Sequence, residues 1–205
     1  MSLVTALARV GELHALLRPL PPTAPAASPV TAAAPTTTTT TTAGAGGPFA
    51  AALQQASAAA GGPPPIVADA LTQVGVAEQP PGSNDGPQIA GYRAAVAGDP
   101  PPGPWCAYFV SWAAARAGTP LGDRGEGFGS VDQLWGWAQR SGRAIANGPG
   151  VVPRPGDVVI LNQHTGIVTG VQPDGSIATV EGNSSDRVAT RVHPPGAAIG
   201  YVRLG

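Results

Sequence analysis

The sequence predicts an α+β domain, helices first and a small antiparallel sheet after them, preceded by an N-terminal helix and a Pro/Thr-rich linker. Three observations carry this expectation. Trp105–Gly118 is apolar on nearly every side, as a helix buried all round must be. From Gly156 onward the apolar period changes to two, the period of strands. Residues 19–48 are built mainly from Pro, Ala and Thr with no charge and no aromatic ring, so they cannot bury enough surface to offset their ordering entropy.

Taken in chain order, residues 1–18 place Leu3, Leu7, Val10, Leu13, Leu16 and Leu17 at spacings of three and four, the stripe of an amphipathic helix. Arg9, Glu12 and His14 interrupt the apolar stretch that a secretory signal would need. Residues 19–65 read as a flexible linker with an unbroken Thr run at Thr36–Thr42 and a short helical piece at 49–60, closed by the Pro63-Pro64-Pro65 break. The folded domain is expected over residues 66–205. Ile66, Ala70, Leu71 and Val74 suggest its first helix, ended by Gly75. Gly82–Pro87 and Asp99–Pro104 are turn-rich loops, and the central helix follows, closed by Gly118 and Pro120. Ser130–Gly142 reads as a shorter helix, and strands are expected at 157–161, 166–171, 177–181, 187–193 and 199–204. The Gln172-Pro173-Asp174-Gly175 turn favours antiparallel meandering over parallel crossovers.

Composition excludes several functions. The net charge of −1, with 11% of residues charged, offers no basic field for nucleic acid or an acidic membrane surface. No run of eighteen apolar residues is present to span a bilayer. The single cysteine cannot form an intrachain disulfide, and no His, Cys or carboxylate grouping has zinc spacing, so neither a metal nor another cofactor is expected.

That cysteine, Cys106, falls at the first turn of the buried helix, two residues after Pro104. Unpaired N–H groups and the positive end of the helix dipole stabilise a thiolate there, a placement that a merely structural cysteine does not need. A thiolate nucleophile requires a base and a group to orient that base. His164, at the entry of a strand, is the best base; His14, in the N-terminal helix, and His193, before Pro194 and Pro195, read more readily as solvated surface histidines. If a two-residue turn joins the His164 strand to 177–181, opposed positions sum to an odd number, so Glu181 and Asn183 share the face of His164. A bulge would spoil that registry. Glu181 can then accept the imidazole N–H, its alternative being a solvated strand end; Asn183 could do so more weakly, or hold Glu181. The Cys106 backbone N–H is one oxyanion donor by geometry. Asn84 is a candidate for the second, although ordinary turn capping is the simpler use of that residue. Trp105, Trp112, Trp135 and Trp137 could wall a groove for sugars and peptides, with Trp112 better suited to the core.

These residues resemble the CHAP family, the cysteine- and histidine-dependent amidohydrolases and peptidases of bacterial and phage cell-wall lysis. The match runs through Gly82-Ser83-Asn84, Trp105-Cys106-Ala107-x-Phe109-Val110-Ser111-Trp112, Gly156-Asp157-Val158-Val159, His164-x-Gly166-Ile167-Val168 and Glu181-Gly182-Asn183, in family order across residues 66–204. The resemblance implies a papain-like fold with Cys106 as nucleophile, His164 as base, Glu181 as orienting group and Asn183 as auxiliary. It also implies peptidoglycan as partner, cut either at the sugar-to-peptide amide or within the peptide stem and cross-bridge. The head of the chain, with Phe49-Ala50-Ala51-Ala52-Leu53 after the linker, is similar to actinobacterial flagellum-associated wall hydrolases. That implies flagellar rod or export components as partners of the N-terminal helix, and an extracytoplasmic or cell-wall location reached without a cleaved signal. The alternative is a non-catalytic wall-binding or assembly module, which would have no use for Cys106, His164 and Glu181 together.

Overall fold

A computed structural model describes residues 61–205. The helix expected at 1–18, the linker as far as residue 60 and its helical piece at 49–60 lie outside the described residues. The described part runs α1 (Pro65–Leu71), α2 (Pro87–Arg93), α3 (Cys106–Arg116), α4 (Val131–Arg140), β1 (Ala144–Ala146), β2 (Val158–Leu161), β3 (His164–Val171), β4 (Ile177–Glu181), β5 (Ala189–His193) and β6 (Gly200–Val202).

Local chemistry explains the helix ends. Pro65 and Pro87 occupy first turns, where a missing N–H costs nothing. The Ser130 hydroxyl caps α4 by accepting from the Gln133 N–H, and Asp132 sits in the same first turn, where a negative charge suits the helix dipole. α3 ends at Ala117 and Gly118, the latter at φ +77°, ahead of Pro120. α2 was not anticipated. It is seven residues long, buries only Ile89 and Tyr92, and is anchored by Arg93 to Asp85 at 3.0 Å.

One six-stranded antiparallel sheet has the order β1-β6-β2-β3-β4-β5, so β2 to β5 meander and β6 returns to the free side of β2. β1, also unanticipated, is a three-residue edge strand on β6. α3 packs against β3 and β4 with all but three of its side chains buried. The main core gathers Trp105, Phe109, Val110, Ile89, Tyr92 and Leu134 from the helices with Val158, Ile160, Ile167, Val180 and Val202 from the sheet. Val159, Leu161, Val168, Ile177 and Tyr201 form a second, smaller cluster.

The register between β3 and β4 places the site, and it differs from the expected one at two points. The connecting loop, residues 172–176, holds five residues rather than two, so beside it the paired positions, Val171 and Ile177, sum to an even number. A bulge between Val168 and Gly170 then inserts one residue, and Val168 faces Thr179 and Ile167 faces Val180, which restores the odd sum. The bulge therefore creates the registry that it was expected to spoil. His164 and Glu181 share a face, one pleat apart.

Candidate active site

Cys106 opens α3, so its N–H and those of Ala107 and Tyr108 have no partner within the helix; the first ladder bond runs from Phe109 N–H to the Trp105 carbonyl at 3.0 Å. The side chain is 5% exposed and lines an open cleft of about 330 Å³ together with Tyr108, Gly129, Ser130, Asp132 and Gln163. Gln163 lies in the tight β2–β3 turn immediately before His164, so the hairpin tip borders the cleft and brings the imidazole within hydrogen-bonding reach of Cys106.

His164 donates from Nε2 to Oε2 of Glu181 at 2.8 Å, which leaves Nδ1 for the Cys106 thiol. Burial alone would push the imidazole toward its neutral form. The hydrogen bonds and charge of Cys106 and Glu181 outweigh burial and raise its pKa from 6.5 to about 9. Glu181 is 1% exposed, and burial by itself would raise its carboxyl. Hydrogen bonds from His164, Thr179 and His193 win instead and lower it from 4.5 to about 2. The two shifts share one contribution, an ionised carboxylate facing an imidazolium, to which Cys106 adds at His164 and Thr179 and His193 add at Glu181.

Two glycines make this geometry possible. A Cβ on Gly166 would lie 2.5 Å from Glu181 Cγ and 3.0 Å from the Val180 carbonyl oxygen, so the carboxylate side chain occupies the space that any other residue would fill. A Cβ on Gly182 would lie 2.5 Å from Phe109 Cβ and 2.9 Å from the Trp105 ring, so the end of β4 can press directly onto the start of α3. The Glu-Gly-Asn sequence thus has a steric reason as well as a chemical one.

The remaining candidates fall out differently. Trp105 was expected to wall the groove, but it is fully buried and donates its indole N–H to Oε1 of Glu78 at 2.9 Å; it belongs to the core behind Cys106. Trp135 is half-buried over Gly200 and beside the Ile145 carbonyl, and it is not among the residues lining the Cys106 cleft. Trp112 packs on the core, and Trp137 is buried with its N–H on Asp123. Asn84 serves the turn: its Oδ1 accepts from Nδ2 of Asn183 at 3.2 Å, and its backbone N–H donates to Oε2 of Glu78 at 2.9 Å. Asn183 is engaged with that loop, while Thr179 and His193 hold Glu181 in its stead.

Sequence reasoning missed His193 and Glu78 as well as Thr179. His193, expected at the solvated surface, turns inward from the end of β5 and puts Nε2 on Oε1 of Glu181. Glu78, buried at 3% exposure, ties Trp105 to the Gly82–Gly86 loop with its two oxygens. A buried-pattern signal for Glu78 was absent because its partners stand six and 27 positions away. Among the described residues no cluster of three or more His, Cys, Asp or Glu is arranged to hold a metal ion, and no helix is long and apolar enough to cross a membrane.

A cleft thiol at a helix start, an imidazole and a buried carboxylate in hydrogen-bonded sequence are the parts of a cysteine-dependent hydrolase site. The family model for the CHAP domain matches residues 98–183, which include Cys106, His164 and Glu181, and this part of the chain belongs to the CHAP family. CHAP domains are typically hydrolases of the amidase or peptidase type that act on peptidoglycan in the cell wall. Comparison with curated proteins and with solved structures gave no match.

Proposed function

We propose that the chain is a peptidoglycan hydrolase that cuts an amide bond by a thiol mechanism, with residues 66–205 as its catalytic unit. The observation that carries this reading is the continuous path from the Cys106 thiol in an open cleft, through His164, to the buried carboxylate of Glu181. His164 takes the thiol proton at Nδ1, and the resulting imidazolium is stabilised by the carboxylate at Nε2. The thiolate attacks the amide carbonyl, and the Cys106 N–H at the head of α3 donates to the developing oxyanion. Collapse of that adduct breaks the C–N bond, with the His164 proton passing to the leaving nitrogen. Water, deprotonated by His164, then cleaves the thioester and regenerates the thiol.

The scissile bond is either the sugar-to-peptide amide, as in an N-acetylmuramoyl-L-alanine amidase, or a bond of the stem or cross-bridge. An extended peptide suits the open cleft, whose rim offers the Ser130 hydroxyl, the Gln163 amide and the Asp132 carboxylate. A flagellar role and the associated export route are proposals that rest on residues 1–60 alone.

Zymography on purified sacculi tests the reading. Wild-type protein should clear them and Cys106→Ala protein should not; equal clearing by both ends the thiol mechanism. Retained binding to sacculi without clearing by either protein would favour a wall-binding module.

A further inference from the structure

We propose that His193 is a positioning residue of this site: its Nε2–H and the Thr179 hydroxyl together clamp Oε1 of Glu181, which turns Oε2 toward His164. The inference rests on the thiol mechanism proposed above and extends it to a residue ten positions beyond the segment, 98–183, that the family model covers.

A carboxylate at the end of a glutamate side chain can rotate about its last torsion, and a single donor on one oxygen does not fix its plane. Glu181 is held at both oxygens. Oε2 faces His164 at 2.8 Å, whereas Oε1 receives Thr179 Oγ1 and His193 Nε2, each at 2.5 Å. Those donors come from β4 itself and from β5, and the third comes from β3, so the carboxylate is gripped from three adjacent strands. The register explains how His193 reaches it: His193 pairs with Ile177, Arg191 with Thr179 and Ala189 with Glu181, so His193 and Glu181 share a face and meet across Thr179. The side chain of His193 is 22% exposed, so its other ring edge can keep contact with water while Nε2 serves the buried carboxylate. The titratable groups facing Glu181 are thus His164 and His193, with the Cys106 thiol one step further along. Lowering of the Glu181 carboxyl by three donors agrees with this division of labour.

If His193 orients Glu181, then losing it loosens the Glu181–His164 contact without touching substrate. His193→Ala should lower the rate of sacculus clearing about tenfold, the effect of one hydrogen bond to a charged group. His193→Gln carries its amide nitrogen at the position of Nε2 and should return the rate to within about threefold of wild type. Histidine ring nitrogen NMR on the full chain gives a second readout that needs no substrate. In wild type His164 should titrate near 9; in His193→Ala its titration should move down toward 6.5, and in His193→Gln it should move back up. Thermal melts of all three proteins establish that each is folded. Should the alanine variant fail to fold, Thr179→Val, which removes the other clamp on Oε1, is expected to move His164 in the same direction.

A His164 titration left in place by His193→Ala, or shifted upward, overturns the inference, as does a glutamine variant no better than the alanine one. Failure of the thiol mechanism looks different: wild type and Cys106→Ala clear sacculi equally. In that event the NMR titration alone still decides whether His193 orients Glu181.

Discussion

Adding one methyl group at Gly166 should disable the site from beneath. An alanine Cβ at this position would stand 2.5 Å from Glu181 Cγ, about 0.9 Å inside the 3.4 Å at which ordinary contact begins, and 3.0 Å from the Val180 carbonyl oxygen. The backbone of β4 is fixed by pairing on both sides, so the side chain of Glu181 has to move instead. A shift of that size takes the 2.8 Å bond to His164 beyond hydrogen-bonding range. A hydrogen bond to a charged group contributes about 1.5–3 kcal/mol, so clearing of sacculi should slow by roughly ten- to a hundredfold. Overpacking should also cost about 1–3 kcal/mol of stability, visible as a lower Tm. Gly170→Ala supplies the control, because a Cβ there meets nothing within 4 Å on the same strand. The assay is the turbidity decline of sacculi, with the alkylation rate of Cys106 by iodoacetamide at neutral pH as a readout free of substrate. Wild-type rates in Gly166→Ala with an unchanged Tm would refute the claim that the space over Gly166 belongs to the Glu181 carboxylate.

Further outcomes follow from the same contacts. Because the Glu181 carboxyl falls from 4.5 to about 2 on folding, its ionised form stabilises the protein above pH 4.5 and that contribution is lost as the pH drops toward 2; Tm should fall across this window in wild type and less steeply in Glu181→Gln. His164 rises from 6.5 to about 9, so its charged form stabilises the fold fully below pH 6.5 and ceases to do so as the pH climbs through about 9, where clearing should also decline for want of an imidazolium. Glu78→Gln sets an amide NH₂ against one of the two N–H donors that the carboxylate accepts, Trp105 or Asn84, and should cost about 1–3 kcal/mol in chemical denaturation. Asp157→Asn sets an amide NH₂ against one of the two Arg203 donors at 3.0 and 2.6 Å and removes the ion pair; it should lower Tm by roughly 6–12 °C, for a loss of about 3 kcal/mol, while Cys106 alkylation keeps its wild-type rate.

What could be read from the chain was what local pattern decides. The central helix declared itself because nearly every side chain of α3 faces protein, and β4 did so because Ile177–Glu181 is bounded by turn residues on both sides. α2 did not, since its seven residues carry a glycine and only two buried side chains, too few for a helical period. Trp105 was misplaced because a tryptophan beside a nucleophile suits a groove equally well; what buries it is Glu78, 27 positions upstream. His193 was set aside for a similar reason. Its strand joins β4 through residues 182–188, a loop to which no hairpin rule gives a register, and the following prolines pointed to a frayed end. In each case the deciding partner is distant in sequence, where propensity and spacing carry no information.

The placement of Glu181 beside His164 has a physical basis that spacing alone does not supply. A five-residue connection between β3 and β4 would by itself put Glu181 on the face opposite His164, since an odd loop makes opposed positions sum to an even number. One unpaired residue at the bulge reverses that parity before the strand reaches His164. The loop and the bulge therefore act as a pair: either one alone would turn His164 away from the carboxylate, and together they bring it back. Gly166 then removes the side chain that would crowd the carboxylate, and Gly182 lets the same strand end lie flat against Phe109 and Trp105 beside Cys106. The proximity of imidazole and carboxylate depends as much on one inserted backbone residue and two missing side chains as on His164 and Glu181 themselves.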